Sequence, residues 1–375
     1  MTTNNNSTKT ISDIFSDFPG KFKSVGLTVI MRTANKDIWD TTLNSCSYIP
    51  VAYTSMNIDF LLEHQHGSGI EIYDLSCTVL WDNRPVAVWP LFLSVVNGKV
   101  NLNFLDNHVL PPLILKTCAG TSAKSIIKSC FHFAETIAIQ GGQTSWSSME
   151  SFIGNLGLSS WHEHAMGMGA TCSLNHEVYL DLNLSMLEIK GQFRKSFKSL
   201  ITSGQKLWSV GVMENADPKI WKEFLELHLQ VAGRKTRSDE TWRIHYNDIC
   251  ENHSFLVYLR NQEHEMVGAG LFHFTRDEGL YAVGAYDRTQ FDKPLGHVVQ
   301  FRAIEELKKR NIKWYKLGAR PYQTHTPTPS EKEISIGEFK QGFASHLFPR
   351  IILSHRVTKS LLDNSDSIQD QYIEK

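Results

Sequence analysis

Apolar residues follow two rhythms along this chain, short runs close to alternation and longer stretches at helical spacing, and the rhythms occur in the same order twice. Between Ile72 and Leu105, three runs rich in Val, Leu, Ile and aromatics are separated by WDNRP and VNGK. That pattern predicts an antiparallel meander with an Asn-Gly turn. A helix is expected from about Ser122 to Ile139, with Ile126, Cys130, Phe133 and Ile137 on one face, followed by a short strand in QTSWS at 143–147. In the second half, SFLVYLR, MVGAGLFHF and GLYAVGAY read as three strands joined by NQEHE and TRDE. A helix from Pro294 to Arg310 then places Leu295, Val298, Phe301, Ile304 and Leu307 on one stripe, and KWYKLG supplies the next strand. Meander, helix, strand thus occurs twice, which predicts a duplicated α+β domain.

Between the halves, SMLEIKGQFRKSFKSLITSG predicts one helix, opened by a Ser185 and Glu188 capping box and closed at Gly204. Its Ile189, Phe193, Phe197 and Leu200 or Ile201 form an apolar stripe, with Lys190, Arg194 and Lys198 stacked on another face. Five cations and no acid lie between Lys190 and Met213. Two more helices are expected, one from Asp217-Pro218 to Gly233 and one from Ser238 or Asp239 that carries Trp242 and Ile249. The polar ends read as flexible at 1–20 and 356–375, leaving domains at 21–180 and 181–355.

The totals narrow the function classes. A chain of 375 residues with 41% hydrophobic content can bury two cores of ordinary domain size. A formal charge of -1 argues against a surface that is a nucleic-acid or anionic-membrane footprint throughout, so any charged partner is met locally. The six cysteines are scattered, with no paired spacing of a zinc site, and reduced thiols are the expectation. WHEHAMGMGA lacks the H-E-x-x-H spacing, so no metal is expected. The N-terminal MTTNNNSTKT has no apolar core for a signal peptide, and the apolar run Val86–Val96 is too short to span a bilayer. These features predict a cytoplasmic protein without a transmembrane segment.

The cationic FRKSFKSL ahead of the second domain, then GLYAVGAYDR, AIEELKKRNIK, WYKLGA and EFKQGF, together resemble the FemAB-like acyltransferases. The resemblance is strongest over 181–345; in the first half it rests on element order and the run RPVAVWPLFL. It implies two tandem domains of the GNAT (N-acetyltransferase) fold, each a mostly antiparallel sheet flanked by helices. It also implies transfer of an activated acyl or aminoacyl group to an amine, on an amino sugar or a cell-surface glycan or peptidoglycan precursor. The co-substrate would be acyl-CoA or aminoacyl-tRNA, with no permanently bound cofactor; DNA is not an expected partner. The family's Phe-Lys pair near the reacting centre matches Phe339 and Lys340.

An amine attacking an ester or thioester makes a tetrahedral oxyanion, which needs a cation or donor nearby. Lys340 fits that role, with Phe339 excluding water. Asp287 after GAY and His297 at a helix start are candidates to take the amine's proton, though a turn aspartate and a helix-face histidine are equally ordinary. Arg234, Lys235 and Arg237 in AGRKTRS, with Trp242 one turn on, could clamp a phosphate or carboxylate or form a solvated loop. Gly284 and Gly318 mark close backbone approach or bulges, with Tyr281, Tyr286 and Arg320 as adjacent contacts. In acetyl-CoA-using relatives paired glycines precede this helix, whereas KPLGHV has only Gly296, a departure that weakens coenzyme A as the donor. Arg194, Lys195 and Lys198 could meet tRNA or the pyrophosphate of a nucleotide- or lipid-linked sugar. The polar loop Thr324–Glu333 reads as a lid or a connector. The rival reading is a non-catalytic protein on the same scaffold, recognising a phosphorylated sugar through Arg194, Arg234 and Arg237.

Overall fold

Ile14, Phe18 and Phe22 recur every four residues and are fully buried, so Ile11–Lys23 is a helix packed on the first domain. Residues 11–20 therefore belong to the fold rather than to a flexible N-terminus, because that stripe has a core to enter. The computed structural model describes residues 11–357 except 24, 97, 119 and 152–158. The polar ends before 11 and after 357, and Asn97 of the expected Asn-Gly turn, lie outside the described residues.

The two halves share one order of elements. The first runs strand Leu27–Met31, helices Lys36–Asn44 and Ser55–His66, a meander, helix Gly120–Gln140, strand Ser145–Ser151, helix Ser160–Gly167 and strand Thr171–Asp181. The second runs strand Ser209–Met213, helices Pro218–Ala232 and Asp239–Cys250, and strands Ser254–Arg260, Met266–Phe274 and Glu278–Tyr286. Helix Leu295–Lys309, strand Trp314–Ala319, helix Glu331–Gln341 and strand His346–Arg356 complete it. The chain is thus α+β with two GNAT-like domains.

In the first half the meander breaks into five strands rather than three. Pro90 has no N–H to give the ladder, and it separates Arg84–Trp89 from Phe92–Val96. The pieces sort into a four-stranded and a three-stranded sheet. In the second half the order is uninterrupted, and eight strands form one sheet.

That large sheet is shared. Thr171–Asp181, the last strand of the first half, lies between Trp314–Ala319 and His346–Arg356, and His346–Arg356 in turn pairs Ser145–Ser151 of the first half. Each half contributes its last strand to the other, about a centre where His346↔Tyr179 through Ser354↔Thr171 run antiparallel. The second half buries its sheet on both sides. Phe197, Ile201, Val298, Phe301 and Ile304 cover one face, and Trp221, Phe224, Trp242 and Ile249 cover the other.

The stretch expected as one helix from Ser185 is two, Met186–Gln192 and Lys195–Leu207. Phe193 is extended and buried against Phe301 and Phe343, and the Arg194 N–H donates 2.8 Å to the Gly342 carbonyl instead of continuing a helix. Lys190, Arg194 and Lys198 therefore do not stack on one helix face. Gly204 is not a stop either. It sits inside the second helix because a Cβ there would run into Val298 and come within 2.9 Å of Pro294 Cγ, so only glycine allows this helix crossing.

Candidate functional site

The parallel strands Glu278–Tyr286 and Trp314–Ala319 pair only from Glu278↔Trp314 to Leu280↔Lys316. Beyond that they part. Both carry an irregularity on their other side: the register of Glu278–Tyr286 against Met266–Phe274 shifts between Leu271 and Phe272, and that of Trp314–Ala319 shifts between Lys316 and Gly318. Such bulges bend and twist a strand. The result is a gap whose edge, from Tyr281 to Tyr286, has no pairing partner in Trp314–Ala319.

Lys340 enters this gap from the last turn of helix Glu331–Gln341. A Ser330–Glu333 capping box starts that helix, and Gly337 lets it approach Pro321, whose Cδ would lie 2.8 Å from an added Cβ. The Lys340 Nζ lies 5.6 Å from the centre of the Tyr281 ring and 2.8 Å from where a Cβ on Gly318 would stand. Gly318 has φ of +120°, a conformation that glycine adopts without strain. Among the described residues the Lys340 ammonium has no hydrogen bond or ion pair, and burial lowers its pKa.

Beneath it lies a polar array. Gly284 leaves room for the Tyr281 hydroxyl, which is 3.1 Å from the Tyr286 hydroxyl. Tyr315 donates to Gln300 Oε1, while Gln300 Nε2 is buried without a hydrogen bond among the described residues. Burial raises the pKa of all three tyrosines, so they stay neutral. Gln300 was not expected here; its signal is a polar residue between the apolar positions Val298 and Phe301.

Phe339 walls the slot with His297, Phe197 and Phe343, its ring 5.1 Å from His297 and 5.7 Å from Phe197. Gly296 admits that ring, since an added Cβ would meet Phe339 Cζ at 3.0 Å. Burial, aided by the Arg194 charge, lowers the His297 pKa to about 4. It is a poor base for an amine. Asp287 caps the turn Arg288–Gln290 by accepting from the Thr289 N–H and hydroxyl at 2.9 Å each, which is the structural alternative for this residue.

The cations divide. Arg194 donates 2.9 Å to the Glu338 carbonyl, capping the helix that carries Lys340, and packs over Phe197. Arg320 is nearly buried, bonded to Gln341 at 2.7 Å and to Glu338 at 3.3 Å and packed on Tyr322, so it braces the same helix. Lys198 is exposed on the neighbouring helix. The structure does not bring Arg234, Arg237 and Trp242 to Lys340. Trp242 is in the core on the opposite sheet face from Tyr281. Arg237 stacks 5.1 Å over that indole and donates 3.2 Å to His228, while Arg234 is exposed.

On the far side of Trp314–Ala319 a buried charge cluster escaped prediction. Lys316 Nζ pairs with Glu177 at 2.9 Å, and Glu278 accepts from the Tyr48 hydroxyl and the Val51 N–H. A separate cavity of about 460 Å³ opens between the halves, lined by Asp40, Ser55, Asp248, His273 and Arg276 among others, and Lys340 is not in its wall. Among the described residues no group of three or more His, Cys, Asp or Glu could hold a metal. None of the six cysteines is in a disulfide, and among the described residues no helix is long and apolar enough to cross a membrane.

No family model and no curated protein matches the chain by sequence. Solved structures do match by fold. FemX superposes with a TM-score of 0.63 at 11% identity, covering 88% of this chain and 98% of its own. L-PGS from Bacillus licheniformis gives 0.54 at 11% identity, covering 91% and 98%. A conserved protein of unknown function from Bacteroides thetaiotaomicron gives 0.53 at 8% identity, covering 85% and 96%. The shared order of elements, the splayed strands and these superpositions over nearly the whole length together identify the fold as the FemAB-like tandem GNAT fold.

Proposed function

We propose that this chain is an N-acyltransferase that moves an acyl or aminoacyl group from an activated donor to an amine, with the reaction centred on Lys340. The observation that carries this reading is the partly buried ammonium, without an ion pair or hydrogen bond among the described residues, held in the gap between two diverging parallel strands. A cation there costs desolvation and returns no internal pairing, so its natural partner is a negative charge that appears during reaction.

In this reading the donor carbonyl lies in the gap with its oxygen toward Lys340 Nζ. The open edge Tyr281–Tyr286 offers backbone N–H and C=O groups to an extended donor chain. The neutral amine attacks the carbonyl carbon, forming the C–N bond, and the oxyanion is held by the ammonium. The C–O or C–S bond then breaks, and the leaving oxygen or sulfur takes the proton that the amine gives up. Phe339, His297 and Phe197 keep water from the intermediate. Aminoacyl-tRNA and acyl-CoA are the two donor classes, as co-substrates rather than resident cofactors. The likeness of EFKQGF and its neighbours to the FemAB-like acyltransferases supports an amino sugar or a glycan or peptidoglycan precursor as acceptor. The non-catalytic reading loses two of its three arginines, since Arg194 and Arg237 are spent on internal contacts.

The test is a donor screen. Purified protein is incubated with acyl-CoA species or with a charged tRNA pool and an amino-sugar acceptor, and the acceptor is followed by mass. A mass gain of one acyl or aminoacyl group with one donor class, absent in Lys340→Ala, is expected. Consumption of no donor by the wild type overturns the reading.

A further inference from the structure

The loop between strand Trp314–Ala319 and helix Glu331–Gln341, expected as a lid or a connector, is tied down at one place. From Gln323 to Thr328 every residue is exposed except His325. Among the described residues, the one hydrogen bond from 322–329 to the rest of the protein joins His325 Nε2 and His176 Nδ1, 3.3 Å apart. His176 belongs to strand Thr171–Asp181, and its carbonyl accepts from the Arg320 N–H where the loop begins. The two imidazoles are nearly parallel, at 9°, with centres 5.4 Å apart. That separation exceeds the N···N distance by about two ring radii, so the rings meet edge to edge close to one plane, as an N–H···N bond requires.

The partners of His325 fix where its proton lies. The Tyr322 N–H donates 3.4 Å to His325 Nδ1, so Nδ1 is an acceptor and the proton is on Nε2. His325 therefore donates to His176 Nδ1, and both rings are neutral. A proton added to either ring lands on an Nδ1 that is already accepting, and ends that bond. The surroundings oppose such a proton. Arg320 lies over the Tyr322 ring at 4.3 Å, and Tyr322 packs edge-on against both imidazoles at 5.1 and 5.4 Å. Glu338 of the following helix pairs with Arg320 at 3.3 Å, and from strand His346–Arg356 the residue opposite His176 is the uncharged Pro349. Glu177, next in the strand, is on the other sheet face with Lys316. Burial, with His325 and Arg320 assisting, lowers the His176 pKa.

We propose that His176 and His325 form a pH-sensitive latch that holds the middle of the 321–330 loop to strand Thr171–Asp181 at neutral pH and releases it in acid. The latched span starts just after Gly318 and ends in the helix that carries Lys340, so the latch restrains the chain on both sides of the slot. Because it needs both rings neutral, it is complete above the ordinary histidine range near about pH 6.5 and is lost as the pH falls below it. The inference does not depend on acyl transfer.

Limited proteolysis of the full chain tests it, with cleavage inside 322–329 located by mass and its rate divided by that of a denatured substrate at the same pH. In the wild type this relative rate should rise about tenfold from about pH 7.5 to about pH 5, the usual worth of one hydrogen bond. His325→Ala removes the latch and should be cut fast at both pH values. His176→Asp puts a carboxylate oxygen where Nδ1 stands, which accepts from the neutral ring and more strongly from the protonated one, so the rise in acid should vanish or reverse. Thermal melts at both pH values show that the variants are folded. A flat wild-type profile, His325→Ala cut no faster than wild type at neutral pH, or His176→Asp following the wild-type rise overturns the proposal. So does a wild-type rise matched at sites outside the loop, which would be general loosening in acid.

Discussion

The Lys340 ammonium lies over the face of Tyr281, 5.6 Å from the ring centre, and among the described residues this cation–π contact is its one favourable electrostatic partner. An oxyanion in the gap would be a far stronger partner. Replacing Lys340 with Met keeps the apolar stem and removes the charge, so the fold should persist while kcat falls by about 10²–10³, the usual cost of losing an oxyanion donor. KM should change much less. Steady-state kinetics with the donor found in the screen, beside a thermal melt, check this; a Lys340→Met enzyme of undiminished kcat removes Lys340 from the chemistry.

Gly318 makes that placement possible. Its φ of +120° strains any other residue, and an added Cβ would stand 2.8 Å from Lys340 Nζ. Gly318→Ala should therefore cost about 1–3 kcal/mol of stability and displace the ammonium. Gly284→Ala should instead push away the Tyr281 hydroxyl. Denaturant midpoints and donor turnover together check the pair: Gly318→Ala should lose turnover even below its melting temperature, and full turnover would show that the ammonium's position is immaterial.

The second half was readable because its apolar runs are long and its turns are marked; Leu295, Val298, Phe301, Ile304 and Leu307 are all buried on the expected stripe. Gly284 and Gly318 were recognisable as places of close approach, though not that a tyrosine hydroxyl and a lysine ammonium fill them. The exchange of last strands was not legible. Tyr179 and His346 pair across a separation that no local pattern reports. Glu177, Glu278 and Lys316 were missed for a related reason. A charge inside a strand reads as facing water, and only the opposing half of the molecule, with Tyr48 and Val51, turns that face into an interior. The break at Phe193 and Arg194 likewise comes from a partner, the Gly342 carbonyl, far along the chain.

The turn Thr275–Glu278 joins the two halves. The Asp277 carboxylate accepts 2.9 Å from the Ile49 N–H, the Thr275 hydroxyl donates 2.6 Å to the Ile49 carbonyl, and Arg276 donates to the Asn44 and Cys46 carbonyls. Asp277→Ala orphans a buried amide, a loss of about 1–3 kcal/mol. The urea midpoint should fall, and protease should cut sooner in the 44–51 segment. An unchanged midpoint would mean that the Asp277 carboxylate adds nothing to the joint between the halves.

Two histidines set an acid limb of stability. Burial lowers His297 to about 4, with the Arg194 charge assisting, and burial lowers His355 to about 4, where it stacks 4.0 Å from Trp146 and meets Ser148 Oγ at 3.0 Å. The unfolded chain protonates such groups near the ordinary value of about 6.5, so between that pH and about 4 the unfolded state binds more protons than the folded one. Their contribution is therefore complete above about pH 6.5 and is lost progressively as the pH falls toward about 4. Melting temperatures measured from pH 7.5 down to about 4.5 should decline, and His297→Gln with His355→Gln should decline less steeply, other buried histidines supplying the remainder. Imidazole NMR titration gives the direct check. A His297 signal that moves near pH 6.5 would place the ring in water and return it to the set of possible bases.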